Sequence, residues 1–231
     1  MQSNVKKIYD TLIDKNIKKT RVEIICRVGG AEFEVRNKDI MGNLIQSWLE
    51  VFLDHNNIRW DAPSNTQKYP DFILDDNQFM ELKCWFKNAT PAFDLANFKS
   101  LVNDLTINPK RLDSDYLIFN YGFDESGITI NDFWVKKIWE ITKIPTGKRS
   151  QNYNLISSQI KKGTIYNLRP FNFIKSPDEC IGSKKDFLVQ MKKTVDHFSD
   201  QLITSANIFK NGDEWMDVVN KKMLKDKEKF I

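Results

Sequence analysis

Three charged residues interrupt two apolar runs in the stretch "YPDFILDDNQFMELKCW", residues 69–85. Asp71 opens the first run, and Glu81 and Lys83 lie within the second. The turn-forming residues 75–78 separate the two runs, which predicts a β-hairpin. Side chains two positions apart on a strand point to the same face, so Glu81 and Lys83 are expected to be neighbours. The hairpin then brings Asp71 back towards Glu81.

Two carboxylates and one ammonium group gathered at a sheet edge predict a metal-assisted hydrolytic centre. Nearby carboxylates repel each other unless a cation lies between them, and oxygen ligands suit Mg²⁺. A lysine beside them can orient an attacking water, help to remove its proton or stabilise negative charge on a phosphate. These are the parts that phosphodiester hydrolysis needs. The alternative is a surface hairpin on which Glu81 and Lys83 form an exposed ion pair worth about 0–1 kcal/mol.

The elements around this hairpin predict a mixed α/β sheet with helices on both sides. Helical patterns cover residues 3–18, 38–55, 93–107, 132–143, 184–210 and 213–229. Further strands are predicted at 22–28, 31–35, 115–123, 127–132 and 164–168. Between them, residues 145–164 are polar and basic with few core residues. The chain contains neither repeats nor a low-complexity linker, which predicts a single domain over residues 1–231.

Composition narrows the class of protein. The chain of 231 residues can bury an ample core, and it has no apolar run near the roughly 18 residues of a membrane-spanning helix. Its net charge of +4 is compatible with nucleic acid, although 31 acidic residues almost balance 35 basic ones. Three scattered cysteines indicate neither zinc nor a disulfide framework, so a cytoplasmic protein is expected. A GxxxxGK[ST] phosphate loop is also missing from the sequence, so ATP use is not indicated.

The hairpin resembles a known catalytic signature. Pro70-Asp71, a nine-residue gap and Glu81-Leu82-Lys83 are similar to the PD-(D/E)XK nuclease signature in the form PD…ELK. The order of N-terminal helix, small hairpin, long helix, polar loop and YPDF strand resembles that of EcoRV-type restriction endonucleases. The segments "GKRSQNYNL" and "GTIYNLRPFNF" look like parts of NlaIV-type restriction endonucleases.

The resemblance implies a restriction-endonuclease-like core and a type II site-specific deoxyribonuclease. Such an enzyme uses Mg²⁺ to cleave both strands of double-stranded DNA at a short palindromic site, leaving 5′-phosphate ends, and acts as a homodimer. The NlaIV-type segments imply a GGNNCC target. A cognate DNA methyltransferase would be the genetic partner, because the host's own sites need protection.

The resemblance also implies a role for each residue of the signature. Asp71 and Glu81 become Mg²⁺ ligands, and the carbonyl oxygen of Leu82 becomes a third ligand. Lys83 becomes the residue that acts on the attacking water. These roles agree with the chemistry that the residue types themselves allow.

One further active-site position stays open. Many relatives place an additional acidic residue on the helix before the signature. Gln46 and Glu50 lie four residues apart on the helix predicted over 38–55, and hence on one stripe of it. Alignment with EcoRV-type enzymes favours Gln46, and carboxylate chemistry favours Glu50. Either residue could also be an ordinary solvated helix position.

Two polar loops are candidates for contact with DNA, at about residues 64–68 and 146–154. Arginine suits the O6 and N7 atoms of guanine, whereas glutamine and asparagine suit adenine or phosphate oxygens. An ordinary polar surface loop is the alternative for each. Arg169 could read a base or could pair with an acidic residue at a strand end. The candidate DNA-binding residues are Lys68, Lys148, Arg149, Gln151, Asn152 and Asn154.

Two other functions fit the same residues. The chain could be a non-catalytic DNA-binding protein with a nuclease-like fold, which would hold DNA equally well with Mg²⁺ or EDTA and never cut it. It could also be a repair or junction nuclease, which would nick or smear plasmid DNA where a restriction enzyme gives discrete bands.

Overall fold

The computed structural model describes residues 1–34, 40–64, 69–87, 89–124, 127–145 and 155–228. Six helices lie in these ranges: α1 (Ser3–Asp14), α2 (Met41–His55), α3 (Phe98–Ile107), α4 (Lys184–His197), α5 (Ser199–Leu202) and α6 (Gly212–Glu228). The strands are β1 (Arg21–Val22), β2 (Ile25–Val28), β3 (Ala31–Glu34), β4 (Trp60–Asp61), β5 (Phe72–Leu74), β6 (Gln78–Phe86), β7 (Ala96–Asn97), β8 (Asp115–Asp124), β9 (Gly127–Lys136), β10 (Ser158–Lys161) and β11 (Thr164–Leu168). None of the described helices is both long and apolar enough to span a bilayer.

The chain divides into two compact units. The first combines Met1–Pro91 with Ser114–Lys136, and the second combines Ala92–Asp113 with Lys137–Ile231. The chain therefore passes between the units three times, and neither is one continuous segment. The single domain over residues 1–231 stays a prediction.

The first unit is built on a six-stranded sheet in the order β1-β9-β8-β6-β5-β4. Strands β6 and β8 pair in parallel, and the other neighbours pair antiparallel, so the sheet is mixed. Strands β5 and β6 form the hairpin predicted from the charged stretch, with Phe72 paired to Met80. Strands β2 and β3 form a second, separate hairpin, also as predicted.

Helices α1 and α2 share one apolar core with the sheet. Their apolar stripes contribute fully buried residues such as Val5 and Leu49, because spacing of three and four residues keeps these side chains on one face. Met80 and Leu82 enter the same core from β6. The mixed sheet flanked by helices is thereby confirmed, and the alternation of β6 leaves Glu81 and Lys83 on the opposite face.

The second unit contains the smaller sheet β10-β11-β7 and helices α3 to α6. Trp215 of α6 is fully buried and donates its indole N–H to the carbonyl oxygen of Val102 on α3, at 2.9 Å. A buried indole that has a hydrogen-bond partner fixes how the two helices meet.

One predicted helix is wrong, and another is shorter than predicted. Residues 132–136 continue strand β9, where Phe133 pairs with Phe119 of β8, and only Ile138–Glu140 form a short 3₁₀-helix. A neighbouring strand supplies a ladder, which outweighs local helical spacing. The helix predicted over 184–210 is broken at two points. α4 ends at His197, and after α5 the Asn207 side chain accepts from the backbone N–H of Thr204, a local bond that competes with helix.

Candidate active site

Asp71 is held at the start of the signature hairpin. It lies one residue before β5, and the pairing of Phe72 with Met80 places it across from Glu81. Its carboxylate accepts a hydrogen bond from the backbone N–H of Leu82, at 2.7 Å. Asp71 is therefore fixed against β6 even though it lies outside the strand ladder.

Glu81 and Lys83 meet on the same face of β6. The Lys83 ammonium donates to the Glu81 carboxylate, with Nζ and Oε2 2.9 Å apart. Only 5% of the Glu81 side chain and 20% of the Lys83 side chain is exposed, so the pair is not the solvated surface pair of the alternative interpretation. The structure thus brings Asp71, Glu81 and Lys83 together, as the sequence predicts.

Glu81 is the most strongly perturbed carboxyl group in the described part of the chain. Burial raises the pKa of Glu81 to about 7, the Lys83 ammonium opposes this rise, and the Asp71 carboxylate adds to it. The Asp71 carboxyl also lies within hydrogen-bonding reach of Glu81. A buried carboxyl beside a second carboxyl is costly to ionise, and one lysine offsets only part of that cost.

This donor set fits a divalent cation. Two carboxylates within hydrogen-bonding reach offer hard oxygen ligands, and a cation between them would offset both the burial of Glu81 and its repulsion from Asp71. No group of three or more His, Cys, Asp or Glu side chains suited to a metal occurs among the described residues. The described residues therefore supply two acidic ligands, Asp71 and Glu81. The carbonyl oxygen of Leu82 remains a predicted third ligand.

Tyr69 and Ser114 support the site and were missed by the sequence analysis. The Tyr69 hydroxyl is hydrogen-bonded to the hydroxyl of Ser114, a fully buried residue just before β8. The Tyr69 ring meets Phe79 of β6 edge-on, with centroids 5.9 Å apart. Tyr69 precedes Asp71 by two residues, so these contacts hold the backbone that carries the carboxylate. A local pattern cannot reveal a contact between residues 45 positions apart.

The two candidates for the additional position both lie on α2, which packs beside β6. Gln46 and Glu50 are half-buried. Within the described residues, Glu50 does not complete a three-acid group with Asp71 and Glu81. The choice between Gln46 and Glu50 stays open.

The predicted DNA-contacting loops fall largely outside the described residues. Of the first loop, Ser64 is described and is exposed. Arg169 forms an ion pair with Asp94, 2.8 Å between Nε and Oδ1, and also donates to the Ala92 carbonyl. That ion pair is the second of the two interpretations offered for Arg169. All six candidate DNA-binding residues lie outside the described ranges: Lys68, Lys148, Arg149, Gln151, Asn152 and Asn154.

Comparisons with known proteins identify the family of the chain. Residues 2–228 match the family model described as NgoBV restriction endonuclease. The chain is 36% identical over 197 residues to the type II restriction enzyme NlaIV of Neisseria lactamica, covering 81% of this chain and 79% of that enzyme. It is also 36% identical over 148 residues to the type II restriction enzyme NgoBV of Neisseria gonorrhoeae, covering 61% of this chain and 83% of the relative.

A solved structure gives the same result. The NlaIV restriction endonuclease superposes with a TM-score of 0.81 and 30% sequence identity, over 95% of this chain and 89% of the other. The similarity therefore spans the signature hairpin and both compact units. The chain belongs to the NgoBV restriction endonuclease family, a family of type II site-specific deoxyribonucleases.

Proposed function

We propose that this type II restriction endonuclease cleaves both strands of double-stranded DNA at a short palindromic site and depends on Mg²⁺. Type II restriction endonucleases generally use divalent metal ions, and the Asp71–Glu81 pair is suited to one. The observation that carries the proposal is the gathering of Asp71, Glu81 and Lys83 on one sheet face.

The residues divide the chemistry between them. Asp71 and Glu81 would hold Mg²⁺, with the Leu82 carbonyl as a further ligand. When bound, Mg²⁺ supplies Lewis-acid chemistry by neutralising charge that develops on the scissile phosphate. Lys83 would orient the attacking water or stabilise that charge through its ammonium hydrogen bonds. Water attacks phosphorus in line, the P–O3′ bond breaks, and the products carry 5′-phosphate and 3′-hydroxyl ends.

A palindromic target bears on the oligomeric state of the enzyme and on its genetic partner. A homodimer would give each strand its own active centre, since two-fold symmetry in the protein mirrors that of the site. The resemblance to NlaIV-type enzymes supports GGNNCC as the target. A DNA methyltransferase that protects the same site would be the genetic partner, and the enzyme would act in the cytoplasm, where cellular DNA lies.

We assign contact with DNA to the two polar loops. Lys148 and Arg149 suit guanine or phosphate oxygens, and Gln151, Asn152 and Asn154 suit base edges or phosphates. Lys68, just before the hairpin, suits the phosphate backbone. A target with guanines in each half-site favours Arg149 as the base-reading residue.

A plasmid digest tests the proposal. The protein should convert a plasmid that carries GGNNCC sites into discrete fragments with Mg²⁺ and leave it intact with EDTA. A plasmid with every GGNNCC site altered should stay uncut. Discrete fragments from the altered plasmid would correct the target, and smears, nicks or metal-independent binding without cleavage would contradict the proposed activity.

A further inference from the structure

The positive charge of the chain is concentrated in one segment. Residues 141–177 contain seven lysines and arginines and neither aspartate nor glutamate. The rest of the chain has 28 basic and 31 acidic residues and is therefore net negative by three charges. The modest overall charge of +4 conceals this segregation. A basic segment in an otherwise acidic chain is the electrostatic pattern of an anion-binding surface.

Some of these charges are already neutralised within the second unit. Lys143 pairs with Glu179, and Arg169 pairs with Asp94. Lys161 and Lys162, at the turn between β10 and β11, are exposed. In the parts of the chain that the structure describes, neither lysine forms an ion pair with an acidic side chain. Their charge is available to a partner.

The turn that carries these lysines is rigidly built. Lys161 pairs with Thr164, so Lys162 and Gly163 form a two-residue turn, with φ values of 48° and 79°. This left-handed geometry fits the twist of a β-hairpin. Gln201 braces the turn by donating to the Gly163 carbonyl at 2.9 Å and accepting from the backbone N–H of Ile165 at 3.1 Å. Little backbone entropy would be lost when the turn contacts a ligand.

An aromatic side chain completes this surface. Tyr166 is 43% exposed, and the Lys161 ammonium lies 5.7 Å from the centre of its ring. The ring holds the lysine side chain near the tip and offers a phenolic hydroxyl at the same surface. Lysine and tyrosine side chains together with backbone N–H groups are the donors that commonly contact DNA phosphates.

We propose that the hairpin tip, defined as residues 161–166, binds the phosphate backbone of duplex DNA. This inference rests on the proposed function, because DNA is the polyanion that a restriction endonuclease binds. The contact is independent of base sequence, since two lysines on a tight turn present charge without the planar fork that reads guanine. The hairpin tip therefore contributes affinity and salt dependence, and the polar loops contribute specificity.

Salt-dependent binding tests the hairpin tip. The variant K161Q/K162N removes both charges while asparagine tolerates the left-handed turn position. The control K6Q/K7Q removes the same two charges from exposed adjacent lysines on α1. Binding to a fluorescent 20-base-pair duplex is measured in EDTA from 50 to 300 mM salt, with one duplex carrying GGNNCC and one lacking it. Melting curves verify that both variants fold.

The expected result is a change in the salt slope. K161Q/K162N should lower the slope of log Kd against log salt by about 1.8 and weaken binding on the order of tenfold, equally for both duplexes. K6Q/K7Q should stay near wild type, and K161R/K162R should retain the wild-type slope. If K161Q/K162N has the same slope as K6Q/K7Q while wild type still cuts at discrete sites, the proposal that the hairpin tip binds DNA is wrong and the proposed function stands. A wild-type protein that neither binds nor cuts DNA overturns both this inference and the proposed function.

Discussion

At the scale of single residues, Glu81 carries most of the electrostatic cost of the site. Its side chain is only 5% exposed, and a second carboxyl lies beside it. The Lys83 ammonium, 2.9 Å from the Glu81 carboxylate, offsets this cost only in part. A site that destabilises its own ionised form in the absence of metal is prepared to bind a cation.

Substituting Glu81 should change how stability depends on pH. The folded-state pKa of about 7 exceeds the ordinary value of 4.5, so the folded protein holds this proton after the unfolded chain has released it. Stability is therefore lost as pH rises from about 4.5 through 7, by about 3 kcal/mol in total. Glu81→Gln removes this loss. In urea titrations with EDTA, its advantage over wild type should be about 3 kcal/mol larger at pH 8 than at pH 4.5.

The control for this titration is Glu23→Gln, at an exposed carboxylate near β1. Its stability difference from wild type should change between the two pH values by far less than that of Glu81→Gln, because the Glu23 side chain is exposed to solvent. If the pH curves of Glu81→Gln and wild type run parallel, the burial cost assigned to Glu81 is wrong.

Tyr69→Phe should affect metal binding more than folding. The change removes the hydroxyl that bonds to Ser114 and leaves the ring on Phe79, so stability should fall by only about 1 kcal/mol. Asp71 loses part of its support, and the Mg²⁺ concentration for half-maximal cleavage should rise about tenfold, as for other residues that support metal ligands. Cleavage rates measured across a Mg²⁺ series give this value.

The control for Tyr69→Phe is a variant that removes a tyrosine hydroxyl away from the site. Tyr9→Phe, at a half-buried ring on α1, should leave the Mg²⁺ dependence unchanged. A uniform loss of rate at every Mg²⁺ concentration in Tyr69→Phe would show a structural role only.

At the scale of elements, the signature hairpin could be predicted because its information is local. Alternation and the turn at 75–78 place Glu81 and Lys83 on one face, and the structure confirms this geometry. Helix α2 and strand β8 are confirmed for the same reason, since α2 has a strong helical period and β8 is a continuous apolar run. The Tyr69–Ser114 contact could not be predicted, because it depends on how distant segments meet.

The strands that the sequence analysis missed are either very short or formed through pairing with another strand. Strands β1, β4 and β7 have two residues each, and such short segments have no period to detect. Strand β10 lies in the polar stretch 145–164 and forms because β11 supplies its partner. Likewise, residues 132–136 become strand through pairing with β8. Pairing with a partner strand determines the secondary structure of these segments, and local residue spacing does not reveal that pairing.

Two glycine substitutions on helices should have opposite effects on stability. A Cβ atom at Gly212, the first residue of α6, would lie 2.6 Å from the Lys192 carbonyl oxygen and 2.7 Å from the Asp196 carboxylate. Gly212→Ala should therefore destabilise the protein by about 1–3 kcal/mol. A Cβ at Gly42 of α2 meets nothing within 4 Å, so Gly42→Ala should stabilise by about 0.5–1 kcal/mol. Urea unfolding of both variants measures the two signs, and a stabilising Gly212→Ala would contradict the packing.

At the scale of the whole molecule, the proposed catalytic centre and the proposed phosphate-binding surface lie in different units. The first unit holds the Asp71–Glu81–Lys83 centre, and the second holds the hairpin tip and most of the excess basic residues. Net charge alone gave weak support for nucleic acid, because the acidic remainder hides the basic segment. Similarity over 95% of the chain to the NlaIV structure shows that both units belong to the family fold.

The central claim is that Lys83, with Asp71 and Glu81, performs phosphodiester hydrolysis, and the single-turnover cleavage rate of Lys83→Ala tests it most directly. Wild type, Lys83→Ala and the exposed-lysine control Lys15→Ala are compared on one plasmid at saturating Mg²⁺, after melting curves show that all three fold. Lys83→Ala should cleave at least about a hundredfold more slowly than wild type, and Lys15→Ala should match wild type. A Lys83→Ala rate within about twofold of wild type would contradict the account, since loss of one group that stabilises transition-state charge costs about a hundredfold or more.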